Sequence, residues 1–554
     1  MKLLTCIIIL TGAYARRIDL SWDVGYVQVN RDGYKTRTAI GVNGKLPIPP
    51  VYADEGDTLF LTVHNSLNHS TSIHAHGILQ TGSNFMDGAA MVTQCGIPPG
   101  DSFTYEIYLN QTGTYWLHGH DHDELADGLR TPLVIRDKQS PYAYDDEFLL
   151  ALEDWYDASF QERMDLTTDP TKPFPPPPSY PYALINGANA NFTKPMIFAP
   201  GSTYRIRLVN MAATEWFKFS MPGHEMLVIE ADGVYSDPFA IAAMTIGPGQ
   251  RYSVLVKAHN TNNLNYQYLV ELYASFIPHT DGMNPRYYAG TIRYSENAVD
   301  VVADKQAALG QIPEDISLAW DWDIQLQSHS HKPLLPVSRS FDVVIGGAHF
   351  SDGVTRDLIN NSSYVTPMIP SLYTAKSIGK WAQNPLVYGP NANAIVVDYW
   401  EPIEFVIYNP SRLPHAMHQH GYTFQIVEYG PIDDSVAISQ GSNPPDTPAP
   451  IRNCARWPME RDTVVVLPMQ YVKIRFRAIN IGTWLHHCHI LAHQRLGMAM
   501  TVVVAPDLVQ KLMPIPESMY TMCHKQGIKT QGNAAGNPGL DLTGLPEMPY
   551  IMSF

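Results

Sequence analysis

The sequence predicts an all-β protein of three consecutive antiparallel β-sandwich domains. Two kinds of segment, each a turn followed by an alternating apolar strand, occur three times along the 554 residues. The chain contains 44 prolines and 38 glycines but only 16% charged residues, a balance typical of many short strands joined by turns. No stretch has the apolar period expected of a major helix.

The repeated segments define three copies of one unit. In the first kind, a turn leads into an alternating strand that ends at an asparagine, and the copies are Glu55–Asn65, Pro200–Asn210 and Trp400–Asn409. In the second kind, a turn again opens a strand whose side chains alternate, and its copies start at Pro99, Pro248 and Pro468. We therefore place the domains at residues 18–138, 145–297 and 340–506, with a connector at 298–339 and a C-terminal tail at 507–554.

The N-terminus and the charge indicate an exported protein. Lys2, the apolar run Leu3–Leu10 and the cleavage motif Ala13-Tyr14-Ala15 predict a signal peptide over residues 1–15. The alternative, a buried first strand, explains neither the charge nor the cleavage motif. No later run is long enough to be a membrane anchor. The net charge of −16 excludes nucleic acid and an anionic membrane surface as partners. We expect a secreted, glycosylated protein, with N-x-S/T sequons at Asn68, Asn110, Asn191, Asn360 and Asn361.

Four histidine clusters carry the chemistry, two in the first copy and two in the third. They are His74-Ala-His76, His118-Gly-His120, His415-Ala-Met-His418-Gln-His420, and His487-Cys488-His489 followed by His493 and Met498. The middle copy has nothing comparable.

The spacing of the clusters predicts two metal sites. Residues i and i+2 of a strand face the same side, so each of the four H-x-H pairs presents two imidazoles together. Eight imidazoles can then surround a cluster of three copper ions between copies one and three. Cys488 faces away from His487 and His489, and with His415, His493 and a weak axial Met498 it forms the ligand set of a blue-copper site. Electrons can pass from the Cys488 sulfur to either flanking histidine through covalent bonds alone.

The clusters allow two other interpretations. A single H-x-H pair is more often an ordinary surface or core pair, and a single cysteine is more often a buried thiol. Four clusters in matched repeat positions argue against coincidence. Zinc is the competing metal, but a structural zinc site needs about four ligands. This chain offers twelve, and cysteine with methionine favours copper.

At these residues the chain resembles the multicopper oxidases, the family of laccases, ascorbate oxidases and fungal ferroxidases. The resemblance implies three cupredoxin-like Greek-key β-sandwich domains and four copper ions per chain. It implies His74 and His418 as ligands of the type 2 copper, and His415, Cys488, His493 and Met498 as ligands of the type 1 copper. For the two type 3 coppers it implies His76, His118, His120, His420, His487 and His489.

The resemblance also implies roles for an acid and for two cysteines. Asp87, in Met86-Asp87-Gly88, matches an acid that helps deliver protons to bound oxygen; the alternative is an ordinary turn aspartate. Of the four cysteines after the signal peptide, one is needed as a metal ligand, so at most one internal disulfide forms and one thiol is left over. The family pattern pairs Cys95 with Cys523 and leaves Cys454 unpaired.

The closest likeness is to ascomycete enzymes of the ferroxidase and pigment-laccase branch, with departures. Fungal ferroxidases place carboxylates around the type 1 copper; Asp154 keeps one acid there. Ser411, four residues before His415, is not an acid, and the aspartate expected near Tyr273 and Ala274 is missing. The acid often found between His489 and His493 is Leu491.

These features favour a laccase-type enzyme. We expect it to oxidise phenolic or naphtholic substrates one electron at a time, with possible coupling in pigment synthesis, and to reduce dioxygen to water. Asp154, His415 and His493 are the candidate substrate-contacting residues. Asp154 would accept the phenolic proton or orient the hydroxyl; the alternative is an acid in a surface loop. The first alternative is a ferroxidase that oxidises Fe(II), and the second is a copper-storage protein without turnover.

Overall fold

The computed structural model describes residues 15–33, 35–171, 182–189, 194–272, 287–310, 320–432 and 449–552. The predicted signal peptide falls almost entirely outside the described residues, as do Tyr273 and Ala274. Among the described residues, no helix is both long enough and apolar enough to cross a membrane.

The first copy forms two four-stranded sheets, in the orders β2-β1-β4-β6 and β3-β8-β7-β5. Its strands are β1 (Arg17–Val29), β2 (Arg37–Val42), β3 (Val51–Asp54), β4 (Thr58–Asn65), β5 (Ile73–His76), β6 (Ser102–Tyr108), β7 (Gly113–Gly119) and β8 (Arg130–Arg136).

The middle copy forms two sheets that have more strands than those of the first copy. The repeated segments of the sequence did not predict this difference. Its strands are β9 (Asp146–Trp155), β10 (Tyr182–Ile185), β11 (Met196–Ile197), β12 (Thr203–Asn210), β13 (Phe217–Ser220), β14 (Met226–Ala231), β15 (Val234–Ile241), β16 (Ala243–Ile246), β17 (Arg251–Lys257), β18 (Leu264–Leu272), β19 (Tyr287–Arg293) and β20 (Val299–Asp300). The sheet orders are β10-β9-β12-β17-β14-β15 and β11-β19-β18-β13-β16. β20 lies in the predicted connector but pairs with β18.

The third copy has the same plan, with sheet orders β22-β21-β24-β30-β26-β27 and β23-β32-β31-β25-β29. Its strands are β21 (Arg339–His349), β22 (Thr355–Ile359), β23 (Ile395–Val397), β24 (Pro402–Asn409), β25 (His415–Gln419), β26 (Phe424–Pro431), β27 (Arg452–Asn453), β28 (Glu460–Arg461), β29 (Thr463–Val466), β30 (Gln470–Arg477), β31 (Gly482–Cys488) and β32 (Ala499–Val504).

The two kinds of repeated segment pair with each other in every copy. The pairs are antiparallel: β4 with β6, β12 with β17 and β24 with β30. The asparagines that end the first segments, Asn65, Asn210 and Asn409, are fully buried. Each amide donates to two backbone carbonyls, those of His69 and Ile97 in the first copy. The asparagine recurs because it satisfies loop carbonyls that burial would otherwise leave unpaired.

The sheets are mixed rather than purely antiparallel. The first strand of each copy runs parallel to the strand of the first repeated segment, pairing β1 with β4, β9 with β12 and β21 with β24. The repeated segments did not reveal this, because the first strands share no sequence pattern.

Helices are short and lie between strands or in the tail. They are α1 (Phe160–Thr167), α2 (Lys305–Leu309), α3 (Ser371–Ser377), α4 (Leu491–Arg495), α5 (Pro506–Leu512) and α6 (Glu517–Lys525), with 3₁₀ turns at Asn84–Met86, Asp323–Gln325, Gly379–Gln383 and Pro385–Tyr388. The disulfide Cys95–Cys523, which the resemblance implied, joins α6 to the first copy across 428 residues of sequence. Cys454 is a half-buried free thiol.

Candidate metal centre

Four short strands of copies one and three bring the H-x-H pairs together. β5 pairs with β7 so that His74 lies opposite His118, and β25 pairs with β31 so that His418 lies opposite His487. The two copies meet at these strands. The His74 and His420 rings stack at 3.9 Å between centroids, and the His76 and His418 rings stack at 3.8 Å. Eight imidazoles, four from each copy, therefore share one interior space.

The eight imidazoles divide into small groups, each drawing on both copies. Ring nitrogens within 4.8 Å of one another belong to the groups His76, His118 and His489; His120, His420 and His487; and His74, His76 and His418. The first two groups are trios that together contain the six residues expected around the type 3 coppers. The remaining two, His74 and His418, are the pair expected for the type 2 copper.

Most of these imidazole rings use one nitrogen for a hydrogen bond to the protein. Their second nitrogen is left without a hydrogen bond and is available to bind a metal ion. The Nδ1–H groups of His74, His118, His418 and His487 donate to the backbone carbonyls of Asp87, Gly119, Asp462 and Cys488, at 2.7–2.9 Å. The opposite nitrogens of His74, His118 and His418 are buried without a partner among the described residues, as are Nδ1 of His76 and Nε2 of His120. Buried lone pairs without donors are costly, and metal ions would satisfy them. The donor set therefore fits bound copper.

Burial keeps these imidazoles neutral. It holds the pKa of His76, His118, His420, His487 and His489 well below the usual value, and the neighbouring imidazoles lower it further. The same causes lower the pKa of His120 to about 3. Neutral imidazole is the form that binds a metal ion, so the centre is prepared for metal at physiological pH.

A second, smaller group surrounds Cys488. The Cys488 sulfur lies 3.8 Å from Nδ1 of His415 and 3.6 Å from Nδ1 of His493, and these two nitrogens are 3.1 Å apart. Met498 is buried in the same core, and its backbone carbonyl accepts the Cys488 N–H at 3.1 Å. Burial raises the pKa of the Cys488 thiol, so only a bound metal ion would hold the sulfur as thiolate.

The tripeptide His487-Cys488-His489 belongs to both groups, as strand alternation predicts. His487 and His489 contribute to the two trios, whereas Cys488 contributes to the group with His415 and His493. The path from the sulfur to either imidazole therefore stays within one short stretch of strand β31 and the residue after it.

Asp87 links imidazoles from the two copies. Its carboxylate accepts the Nδ1–H of His420 at 2.8 Å, and its backbone carbonyl accepts the Nδ1–H of His74 at 2.7 Å. The side chain is fully buried in the structure. Asp87 is therefore a partner of the centre rather than an ordinary turn residue.

The middle copy contributes supports that the sequence analysis missed. Arg251 donates to both carboxylate oxygens of Asp462 at 2.7 and 2.6 Å, and Asp462 lies 3.2 Å from Nε2 of His76. This contact turns Nδ1 of His76 toward the centre. A Cβ at Gly249, where φ is +83°, would come within 3.1 Å of both His489 and His76. The sequence did contain a signal for this support: Arg251 and Asp462 are charged residues beside strongly apolar strands.

A cavity of about 410 Å³ leads from the surface to the imidazoles of His118, His120 and His489. Ser70, Asp121 and Gln494 are among its other lining residues. A small molecule such as dioxygen can reach the centre by this route.

Asp154, which the sequence analysis expected to contact a substrate, is instead buried and paired within the protein. Its side chain is 1% exposed and pairs with Arg130 at 3.0 Å. Its oxygens also accept the backbone N–H groups of Ala213 and Thr214 at 3.0 and 2.8 Å. A buried carboxylate whose oxygens are all hydrogen-bonded in this way cannot contact a substrate. Its role is to hold residues 213–215 in place. The backbone carbonyl of Ala213 then accepts the N–H of Leu491.

Two of the three departures from the family pattern, Ser411 and Leu491, fall on described residues. The Ser411 hydroxyl lies 3.1 Å from Nε2 of His415, the outward nitrogen of that ring. Leu491 packs in an apolar cluster with Trp116, Leu125 and Ala213. Neither position supplies a carboxylate.

Comparisons with known proteins agree with this geometry. Three sequence profiles described as "Multicopper oxidase" match residues 23–140, 146–297 and 364–508. Iron transport multicopper oxidase fio1 of Schizosaccharomyces pombe is 35% identical over 99% of this chain and 86% of its own length. Iron multicopper oxidase fer1 of Mycosarcoma maydis is 33% identical over 99% of this chain and 90% of its own length.

Solved structures have the same architecture. That of Fet3p, described as a multicopper oxidase that functions in iron import, aligns with a TM-score of 0.86 and 27% identity over 97% of this chain and 100% of its own. The Botrytis aclada laccase aligns with a TM-score of 0.72 and 27% identity over 92% of this chain and 91% of its own. These matches confirm the predicted fold of three cupredoxin-like β-sandwich domains.

Proposed function

The chain belongs to the multicopper oxidase family, and from this premise we propose that it is a ferroxidase, which oxidises Fe(II) and reduces dioxygen to water. It is a copper-dependent oxidoreductase with one type 1, one type 2 and two type 3 copper ions. What we propose is the identity of the reducing substrate, Fe(II).

One observation carries the choice of iron. Relatives that match along nearly the whole chain at 31–35% identity are described as iron or iron transport multicopper oxidases, in several fungi. The Fet3p structure also aligns more completely than the laccase structures, with TM-scores of 0.86 against 0.74 and 0.72. This evidence favours the alternative of the sequence analysis over its first choice, a phenol oxidase.

We assign the residue roles from the geometry. His415, Cys488, His493 and Met498 hold the metal that receives electrons, and their outer edge is where the substrate docks. The eight imidazoles of the interior hold the three coppers at which dioxygen is reduced. Bound copper supplies one-electron transfer at the first group and four-electron reduction of dioxygen at the second. Cys488 and its neighbours His487 and His489 join the groups by covalent bonds.

Export also remains part of the proposal. The pattern from Lys2 to Ala15 predicts cleavage after Ala15, and N-terminal sequencing of protein from the culture medium of the producing cells would test it. A mature chain beginning at Arg16 is expected.

A phenol oxidase is the second candidate, because the side chain next to the outward nitrogen of His415 is a serine and not a carboxylate. The nitrogen of His415 that faces outward is bonded to the neutral Ser411 hydroxyl. The next residues are the exposed Arg412 and Leu413, the latter 43% exposed. A cationic and an apolar side chain suit an aromatic molecule better than a bare ferrous ion.

Oxygen consumption by the purified holoenzyme with Fe(II), compared with a panel of phenols and naphthols, decides between the candidates. We expect Fe(II) to give the larger kcat/KM; a phenol or naphthol clearly exceeding it would overturn the proposal. Ser411→Asp places a carboxylate beside His415 and is expected to lower KM for Fe(II). Ser411→Asn, a neutral control of the same size, is expected to leave that KM unchanged.

A further inference from the structure

Glu124 is a buried acid that pairs with no arginine or lysine among the described residues. Its side chain is fully buried, and neither carboxyl oxygen makes a hydrogen bond of ordinary geometry to any described residue. The hydroxyl of Thr71 and the backbone N–H groups of Ser72 and Asp121 face the carboxyl without close hydrogen bonds, and the Thr71 hydroxyl has no other partner among the described residues. A buried carboxyl usually finds an arginine or several N–H donors, as Asp154 does. A buried carboxyl and a buried hydroxyl that face each other without close hydrogen bonds indicate a polar function there.

Glu124 lies directly behind a strand that carries metal-binding histidines. A Cβ at Gly119, between His118 and His120, would lie 2.5 Å from the Cβ of Glu124. On the other side, the backbone carbonyl of Ser72 accepts the N–H of His120 at 3.0 Å. The carboxyl therefore sits between the two segments of the first copy that bear the imidazoles of the oxygen-reducing centre.

Two cavities meet at this position. The cavity of about 410 Å³ that reaches the centre is lined by Gly119, His120 and His122. A second cavity, of about 340 Å³ and open to solvent, is lined by His69, His122 and Glu124. Residues 119–124 thus lie between the two cavities, and Glu124 is the most deeply buried acid among them.

The surroundings keep the carboxyl protonated. Burial raises the pKa of Glu124 well above its usual value, and the negative charge of Asp121 raises it further. The other titratable groups that face it are His69, whose Nδ1 is 3.7 Å from Oε1, and the phenols of Tyr26 and Tyr105. None of these is a permanent cation, so the acid stays neutral and carries a proton at physiological pH.

We propose that Glu124 is a proton-supplying residue for dioxygen reduction, separate from Asp87. Each dioxygen takes up four electrons and four protons to give two water molecules. The electrons come from the reducing substrate. The O–H bond of the Glu124 carboxyl breaks, the proton moves through the Thr71 hydroxyl or water toward the reduced oxygen, and the carboxylate regains a proton from solvent through the second cavity.

The leucine at position 491 explains why protons need a path past Glu124. Leu491 lies between His489 and His493, where the family often has an acid, and it is packed among apolar side chains. No proton can come from that side chain. The inference concerns the oxygen reaction alone, so it is independent of whether iron or a phenol is the reductant.

The test is reoxidation of the fully reduced holoenzyme by dioxygen in a stopped-flow instrument, across a range of pH, for the wild type and Glu124→Gln. Because positioned acids and bases contribute about 10²–10⁴-fold, we expect Glu124→Gln to slow reoxidation roughly tenfold or more, most strongly at alkaline pH. Copper content and the type 1 absorption should be unchanged. Glu215→Gln is the matched control, since Glu215 is equally buried but lines neither cavity, and reoxidation should stay at the wild-type rate.

Infrared spectroscopy of the copper-free protein gives a readout that does not depend on turnover. Since other buried acids such as Glu215 also carry protons near neutral pH, the spectrum of Glu124→Gln is subtracted from that of the wild type, and the difference should contain the C=O stretch of one protonated buried carboxyl. An unchanged reoxidation rate in Glu124→Gln, or a wild-type carboxyl already ionised at neutral pH, would overturn the proposal. If Glu124→Gln does not fold, Thr71→Val keeps the acid and removes the hydroxyl that faces it; slower reoxidation with the infrared band retained is expected, and wild-type reoxidation would contradict the route.

Discussion

The two metal groups joined by His487-Cys488-His489 differ in how the protein encloses them. The group around Cys488 comes from the third copy alone, and one ring nitrogen, that of His415, is directed outward toward Ser411. The eight-imidazole centre takes half its rings from each of two copies, and supports from the middle copy close around it. Local sequence therefore builds the site that receives electrons, whereas the site that reduces oxygen depends on assembly of the whole molecule.

The largest expected effect comes from cutting the link between the two groups. Cys488→Ser removes the thiolate but leaves His487 and His489 in place. Because groups that act as a unit lose nearly all their effect when one is removed, oxygen consumption with any reductant should fall at least about 10³-fold. Turnover of the purified variant, measured with an oxygen electrode, checks this. Retention of a tenth of wild-type activity would show that electrons reach the centre by another path.

The next effect tests the dependence of the centre on the middle copy. Arg251→Met leaves the Asp462 carboxylate buried beside His76, and such unpaired buried charges cost about 3–5 kcal/mol. The free energy of unfolding should fall by this amount, and copper should be lost from the centre before it is lost from the Cys488 group. Denaturant unfolding and copper analysis measure both. Arg17→Met, which breaks an exposed pair with Asp19, should leave both unchanged.

A buried acid outside both groups gives a smaller, pH-dependent effect. Burial, reinforced by the charge of Asp154, raises the pKa of Glu215 from 4.5 to about 7. The unfolded chain then loses this proton between pH 4.5 and 7 while the folded chain keeps it, so stability falls as pH rises through that window. A shift of 2.5 units corresponds to at most about 3 kcal/mol. Glu215→Gln should flatten the decline in denaturant unfolding; an identical pH profile would refute the assignment.

The smallest effect concerns a contact within the centre. Asp87→Asn keeps the shape of the side chain but weakens its bond to His420. Since partners of metal ligands typically contribute about 10–100-fold, turnover or copper affinity should fall by that factor, with the type 1 absorption intact. Steady-state kinetics and copper titration measure this. If the variant is as active as the wild type and binds copper equally well, Asp87 is an ordinary turn residue with no role at the centre.

Sequence reasoning succeeded where local periodicity determines geometry. The i, i+2 spacing predicted that four pairs of imidazoles would each share a face, and that Cys488 would face away from its neighbours. It could not identify Arg251 as a support, because its partner Asp462 is 211 residues away. It also wrongly expected Asp154 to be open to a substrate. The burial of that acid depends on Arg130 and on backbone groups of the 213–215 turn, which are distant in sequence. Contacts between copies leave no local pattern in the sequence.

Copper analysis combined with visible absorption of the wild type and Cys488→Ser tests the central claim most directly. The wild type should hold about four copper ions per chain and absorb intensely near about 600 nm, as expected for thiolate-bound blue copper. Cys488→Ser should lose that band and one copper while keeping the three of the centre. Loss of all four ions, or survival of the band, would contradict the account in which one tripeptide serves two separate sites.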